Sequence, residues 1–279
     1  MNTKAIYMPK GKAGEYAKYA CNFFVGCSHN CDYCYCKKGI LSHALGKPYP
    51  ELKKCFKNME HAFITFAKEL QNFLFIDPED LKHRGLFFCF TSDPMLEECI
   101  LLNRCAIELA IRNEVPCKIL TKRADFLNEL PENWFTDNNI KKHVAFGFTL
   151  TGHDELEPGA STNAERIQTM RILHDMGCRT FASIEPIIDL ETSANMIEQS
   201  HEFCDLFLIG LLSGQKSYSR NEVLQFIEDT RTAFNFYYDY GQLKHVYLKN
   251  SVLDFVGLKR EDLIDQYPFV NSDFDLFNK

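Results

Sequence analysis

The sequence predicts an α/β fold, a partial (β/α)6 barrel. Short apolar runs alternate with segments of helical periodicity through the middle of the chain. The runs are apolar on both faces, as strands are in a parallel sheet covered by helices. About six such units can be counted, fewer than the eight of a closed barrel. The composition agrees: 279 residues with 46% hydrophobic and 25% charged side chains make a globular chain. Disordered, collagen-like and coiled-coil classes are excluded.

The strand candidates are Ala20–Val25, Leu86–Phe90, Pro116–Leu120, Val144–Leu150, Arg179–Ile184 and Asp205–Ile209, with His245–Lys249 as a late addition. Between them, Met59, Phe63, Phe66, Leu70 and Leu74 recur at helical spacing after an Asn58 cap. Leu101, Cys105 and Leu109 mark a second helix. Thr162 and Glu165 have the spacing of a capping box, Ile167, Met170 and Leu173 form a face, and Gly177 falls where a terminating glycine belongs. A further helix covers Arg220 to Tyr237. No Pro/Gly/Ser-rich linker and no repeat divides residues 1–279. They read as one domain, with a core of about 18–250 and a C-terminal flap of about 251–279. The tail from Lys259 mixes acids with Tyr267, Phe269, Phe274 and Phe277, which suits a packed flap better than a solvated tail.

A net charge of −7 argues against wholesale coating of nucleic acid. The longest apolar run, Leu206 to Leu212, is far shorter than the roughly 18 residues of a membrane span. No apolar signal segment opens the chain, so the expected address is the cytoplasm, where disulfides are rare. Most of the twelve cysteines then read as small buried hydrophobes.

Three do not. Cys27, Cys31 and Cys34 follow C-x3-C-x2-C directly after the first predicted strand. Spacings this short let three thiolates converge on one centre. A 4Fe-4S cluster usually takes four cysteine ligands, so three leave one iron open to bind a second cofactor. The alternative is a structural zinc site, with Cys21, His29 or Cys36 as the fourth ligand. A third possibility is a cluster that serves only structure or electron transfer.

The stretch GCSHNCDYCY resembles radical S-adenosylmethionine (SAM) enzymes, and within them the spore photoproduct lyase-like branch. LGKPY after the cysteines, TSD after the second strand, TK after the third, and LEPGAS with the following ERI are similar to that branch, so the resemblance spans roughly residues 5 to 190. It implies a partial barrel of the radical SAM type, a 4Fe-4S cluster, and S-adenosyl-L-methionine. The open iron would chelate SAM, and its reductive cleavage would give a 5′-deoxyadenosyl radical that takes hydrogen from a substrate.

Active sites of parallel αβ barrels lie at the C-terminal strand ends. There the resemblance puts Ser92 near the SAM amino group, Lys122 against its carboxylate, and Thr149 as an assisting hydroxyl. Ser92 and Asp93 are alternatively caps of the next helix, and Glu185 is an acid for ribose or substrate. Tyr33 is similar to an aromatic beside the adenine, and Tyr35 to a tyrosine implicated in returning a hydrogen atom; the alternative for both is packing that shields the cluster. One departure stands out. The lyase branch has a hydrogen-donating cysteine immediately before TSD, whereas this chain has Phe90, with Cys89 one place earlier. Strand alternation would turn Cys89 away from the site unless a bulge intervenes.

Residues 37–57 hold six lysines and a single acid, Glu51. This basic segment suits an anionic or nucleic-acid substrate, an acidic electron donor of flavodoxin or ferredoxin type, or a merely solvated face.

Overall fold

The alternating pattern builds one open sheet. The computed structural model describes residues 4–38, 42–214, 217–263 and 265–277. Strands β1 (Ile6–Tyr7), β2 (Tyr19–Cys21), β3 (Phe24–Val25) and β4 (Glu51–Leu52) come first. They are followed by β5 (Leu86–Phe88), β6 (Cys117–Thr121), β7 (Val144–Thr149), β8 (Arg179–Ile187), β9 (Leu206–Leu211) and β10 (His245–Leu248). Eight of them form a sheet in the order β1-β2-β5-β6-β7-β8-β9-β10. β1 is antiparallel to β2, and every other neighbouring pair is parallel. β1 and β10 lie at opposite edges, so the sheet curls as a partial barrel without closing.

One sequence expectation changes, and the late strand is present as expected. The run Ala20–Val25 is two strands, because Asn22 interrupts it. Its backbone N–H donates to Ala5 O at 3.1 Å, and its side chain bonds Tyr7 and the Phe90 N–H. β3 then pairs with β4 in a separate two-stranded sheet. The late run His245–Lys249 pairs in parallel with β9, so there is one βα unit more than the six counted from sequence.

The expected helices form, but on Glu97–Arg112 the apolar repeat faces the wrong way: Leu101 and Cys105 are exposed, and Ile100, Ala106, Ile107 and Ala110 make the buried face. Asn58 caps the helix Met59–Ile76, and its side chain accepts from the His61 N–H at 2.8 Å. Thr162 and Glu165 form a complete capping box on Asn163–Asp175, and Ser219 and Glu222 form a second on Arg220–Asp239. A helix over Leu190–Ser200, capped by Asp189, has no counterpart among the sequence expectations. Phe66, Leu70, Ile107, Met170 and Phe234 on the helices pack with Phe88, Ile119, Phe146 and Phe207 on the outer sheet face. Each such fully buried side chain contributes about 1.5–3 kcal/mol of burial free energy.

The inner face carries a second cluster of Ala20, Phe87, Phe181, Leu206, Leu208 and Tyr247. The C-terminal tail packs onto it through Val270, Phe274, Leu276 and Phe277. Arg84 donates to Ser272 O at 3.0 Å and Arg179 to Phe277 O at 2.7 Å. These contacts sit at the strand starts, so the tail covers the N-terminal end of the barrel and leaves the other end open. No helix among the described residues is long and apolar enough to cross a membrane.

Candidate active site

Side chains alternate along a strand, so every second residue follows the inner cluster toward the C-terminal rim. Counting from Ala145, Phe181 and Tyr247 reaches Thr149, Ser183 with Glu185, and Lys249. Leu120 leads to Lys122 in the same way. All five polar residues border one cavity of about 590 Å³, together with Cys27, Cys31, Cys34, Tyr33, Tyr35, Cys89 and Ser92. The structure thus gathers the three cysteines with Tyr33, Tyr35, Cys89, Ser92, Lys122, Thr149 and Glu185 around one space, while Cys21 and Lys53, Lys54 and Lys57 lie away from it.

The cysteine loop is fixed from three sides. Gly26 N–H donates to Thr91 O at 3.0 Å, Cys27 N–H to Lys47 O at 3.0 Å, and Asp32 N–H to Leu156 O at 2.9 Å. Gly26 turns the chain at φ +89°, and a Cβ there would lie 2.2 Å from Tyr49 O. Gly159 of the LEPGAS segment backs the loop so closely that a Cβ would lie 2.3 Å from Ser28 O. Either glycine replaced by a larger residue would push the loop away. The LGKPY and LEPGAS segments therefore clamp the cysteines from two sides.

Burial pushes the Cys27 thiol up to about 12 and raises Cys31, while a hydrogen bond with Cys36 draws Cys34 below its ordinary range. Among the described residues no three His, Cys, Asp or Glu side chains are drawn together tightly enough to clasp a metal ion. The donor chemistry still fits an iron–sulfur cluster, with three thiols on one short loop facing one cavity. Two fourth-ligand candidates for zinc are committed elsewhere. Cys21 is fully buried in the outer core, and both nitrogens of His29 are engaged. Cys36 stays beside Cys34.

Asp93 is a hub that the sequence reading treated only as a possible cap. The next helix starts at Glu97 with Leu96 as its cap, so neither Ser92 nor Asp93 caps it. Asp93 instead accepts from His29 Nε2 at 2.8 Å, from Thr121 Oγ1 at 2.7 Å and from the Lys122 N–H at 2.8 Å. Burial by itself would raise its carboxyl, but His29 and the backbone N–H groups of Lys122 and Met95 override that and hold it below the usual range. His29 Nδ1 donates to Gly159 O at 3.0 Å. One carboxylate thus ties the cysteine loop to the ends of β5 and β6. Ser92 borders the cavity with its hydroxyl 3.7 Å from Cys99 Sγ.

Lys122 reaches over the Tyr33 ring, 5.6 Å from its centroid, and comes within 3.9 Å of Glu157. Glu157 is buried and bonded by Tyr33 and by Arg166, itself fully buried. Arg166 also donates to Thr149 O. Burial opposes the charge on Glu157, but Lys122, Arg166 and Tyr33 keep its carboxyl low. Glu157 and Arg166 belong to LEPGAS and ERI, so the motifs were visible, but their pairing needed the fold. Lys122 is left as a cation at the rim, held by a carboxylate just outside direct-contact distance.

The question posed by Cys89 and Phe90 resolves because the β5 ladder ends at Phe88. Alternation no longer applies beyond it, and both residues border the cavity. Phe90 stacks on Phe87 with centroids 4.3 Å apart, and Cys89 Sγ lies 3.9 Å from Thr91 Oγ1. Burial raises the Cys89 thiol, which favours its S–H form. Tyr35 donates to Phe90 O and presents an exposed ring. Glu185 sits across the cavity, where its Oε2 accepts from Tyr16 OH and Lys249 Nζ, each at 2.6 Å. Tyr16 and Lys249 had not been singled out, although stepping by two from Tyr247 points to Lys249.

No protein-family model and no curated protein matches the chain. Solved structures do. A doubly substituted spore photoproduct lyase with bound AdoMet and dinucleoside spore photoproduct superposes with a TM-score of 0.55 at 19% identity, over 75% of this chain and 61% of that one. Spore photoproduct lyase complexed with dinucleoside spore photoproduct gives 0.52 at 20% identity, over 73% and 58%. Streptococcus suis SuiB bound to S-adenosylmethionine gives 0.48 at 10% identity, over 71% and 44%. The chain has the radical SAM, spore photoproduct lyase-like fold. It spans about three-fifths of the length of the lyase chains it matches.

Proposed function

We propose that this protein is a radical SAM enzyme, with Cys27, Cys31 and Cys34 holding a 4Fe-4S cluster and S-adenosyl-L-methionine bound beside it. The observation that carries the proposal is the shared cavity. Three cysteines of one loop border the same space as Ser92, Lys122 and Thr149, which come from the ends of three successive parallel strands. When bound, the two cofactors supply one-electron cleavage of the sulfonium and hydrogen-atom abstraction from a substrate. The chain supplies position, charge and exclusion of water.

In this reading Lys122 pairs with the SAM carboxylate as a point charge. Glu157 and Arg166 hold Tyr33, which makes one face of the nucleoside site, and Ser92 accepts from the amino group. Thr149 and Glu185 offer oxygens along the opposite wall. Tyr35 and Cys89 stand where a hydrogen atom would be returned, and an acidic electron donor of flavodoxin or ferredoxin type would deliver the electron. Phe90 stands at the sequence position of the donor cysteine of the lyase branch, but Cys89 borders the same cavity, so the missing cysteine does not decide against spore photoproduct, and a shared frame does not fix the substrate.

Anaerobic reconstitution followed by SAM and dithionite tests the proposal. The protein should take up about four irons per chain, absorb broadly near 400 nm, and release 5′-deoxyadenosine. Stoichiometric zinc without iron would refute the assignment. An iron signal unaffected by SAM would leave a cluster protein without SAM chemistry.

A further inference from the structure

The cavity has two ends of opposite character. At its mouth stand Lys10 and Lys12 from the segment before β2, and Lys37, Lys38 and Lys47 from the segment after the cysteines. Among the described residues Lys12 contacts a hydroxyl, Ser213 Oγ at 2.7 Å, Lys37 contacts the Asn30 side chain, and Lys47 pairs with the exposed Glu51. The ammonium groups of Lys10 and Lys38 have no partner among the described residues. The acids bordering the cavity are Asp93 and Glu185, and each is already paired, with His29 and Lys249 respectively. A protein of net charge −7 therefore opens a positively charged mouth onto its candidate active site. The fold also sorts the basic segment. Lys37, Lys38 and Lys47 border the cavity, whereas Lys53, Lys54 and Lys57 do not.

The deep wall is different. Lys249 is 1% exposed, lies 4.1 Å above the Tyr16 ring and bonds Glu185 Oε2. Tyr16 OH, 2.8 Å from Ser183 Oγ, bonds the same carboxylate oxygen. Among the described residues Glu185 Oε1, which lies beside Gly210, has no hydrogen-bond donor and is left to accept. An anion pushed to this wall would meet a carboxylate, whereas a hydroxyl or amide N–H would find an acceptor.

We propose, building on the radical SAM reading, that the substrate is a small phosphate-bearing molecule. Its phosphate is held at the lysine mouth and its uncharged end, carrying hydroxyl or amide donors, faces Glu185. Lysines arriving from two sides suit a doubly charged group better than a single carboxylate. The space of about 590 Å³ is that of a small-molecule site and must also take SAM. A long nucleic acid would need a wider basic surface than this chain presents.

The test is calorimetric binding to anaerobically reconstituted protein with SAM, in phosphate-free buffer. The probes are ribose 5-phosphate, ribose, inorganic phosphate and a 12-nucleotide single-stranded DNA. Ribose 5-phosphate should bind at least about tenfold tighter than ribose and weaken as salt rises. The Lys10→Gln/Lys12→Gln pair should weaken it about fivefold or more. Lys54→Gln/Lys57→Gln, equal in charge change, should have less than a twofold effect. Glu185→Gln should reduce the preference for ribose 5-phosphate over inorganic phosphate. The proposal fails if no phosphate probe binds, if both lysine pairs act alike, or if Glu185→Gln leaves that preference unchanged. DNA binding about a hundredfold tighter than ribose 5-phosphate, and sensitive to Lys10 and Lys12, would overturn it in favour of nucleic acid. Absorbance near 400 nm and SAM binding are recorded on the same samples. Loss of those in the unsubstituted protein refutes the radical SAM reading, whereas their presence without phosphate binding refutes this inference alone.

Discussion

The two ends of the barrel are made by the same strands and differ in almost every physical respect. At the strand starts the inner residues are Phe87, Phe181, Leu206 and Leu208, and the C-terminal tail packs onto them. At the strand ends the inner residues are Lys122, Thr149, Glu185 and Lys249, and the space above them stays open. Polar groups at the lower end would lie under the tail without water, while at the upper end they are bridged in pairs or face solvent. Lys118 is the exception below. Burial, and the nearby Arg84, draw its ammonium down to about 8. The comparison separates residues that hold the fold from residues that hold chemistry.

Substitutions can break that separation, and the largest effect belongs to the upper end. Cys27→Ala, Cys31→Ala or Cys34→Ala should abolish the absorbance near 400 nm and 5′-deoxyadenosine release. Cys178→Ala and Cys204→Ala, in the outer core, should leave both intact in anaerobic reconstitution assays. Next comes the buried Arg166–Glu157 pair. Arg166→Met strands a buried carboxylate, and urea unfolding should show a loss of about 3–5 kcal/mol. At the lower end Leu276→Ala should cost about 2–5 kcal/mol by the same measurement, while the SAM affinity of the folded protein stays within twofold. An equal loss of SAM affinity would mean that the two ends are not independent.

Smaller effects sharpen the contrast. Lys122→Ala should weaken SAM about tenfold in equilibrium binding, about 1.4 kcal/mol, with iron content unchanged. Normal SAM binding would show that the carboxylate sits elsewhere. Lys118 gives a pH signature. Its folded value lies below the unfolded one, so between about 8 and the ordinary lysine range the unfolded chain binds more protons. Stability should therefore rise with pH across that window, by up to about 1.4 kcal/mol per unit. Lys118→Met should flatten the rise in thermal unfolding curves recorded from pH 7 to 10.5.

The α/β class, the parallel strands, the helix caps at Asn58 and Thr162, and the cysteine loop were all legible in residue order. All of these are local. They depend on hydrophobic period, on a side chain bonding a backbone N–H three residues on, or on donors seven positions apart at most. Motifs such as TSD and LEPGAS were also legible, but their work was not. That Asp93 joins His29 to Thr121, that Glu157 joins Tyr33 to Arg166, and that Tyr16 and Lys249 share Glu185 are contacts between residues that mostly lie tens to hundreds of positions apart. Only the curl of the sheet brings such residues to one rim, because chain order does not specify which strand ends face one another. The split of Ala20–Val25 and the fate of Cys89 were decided the same way, by the side chain of Asn22 and by the point where the β5 ladder stops.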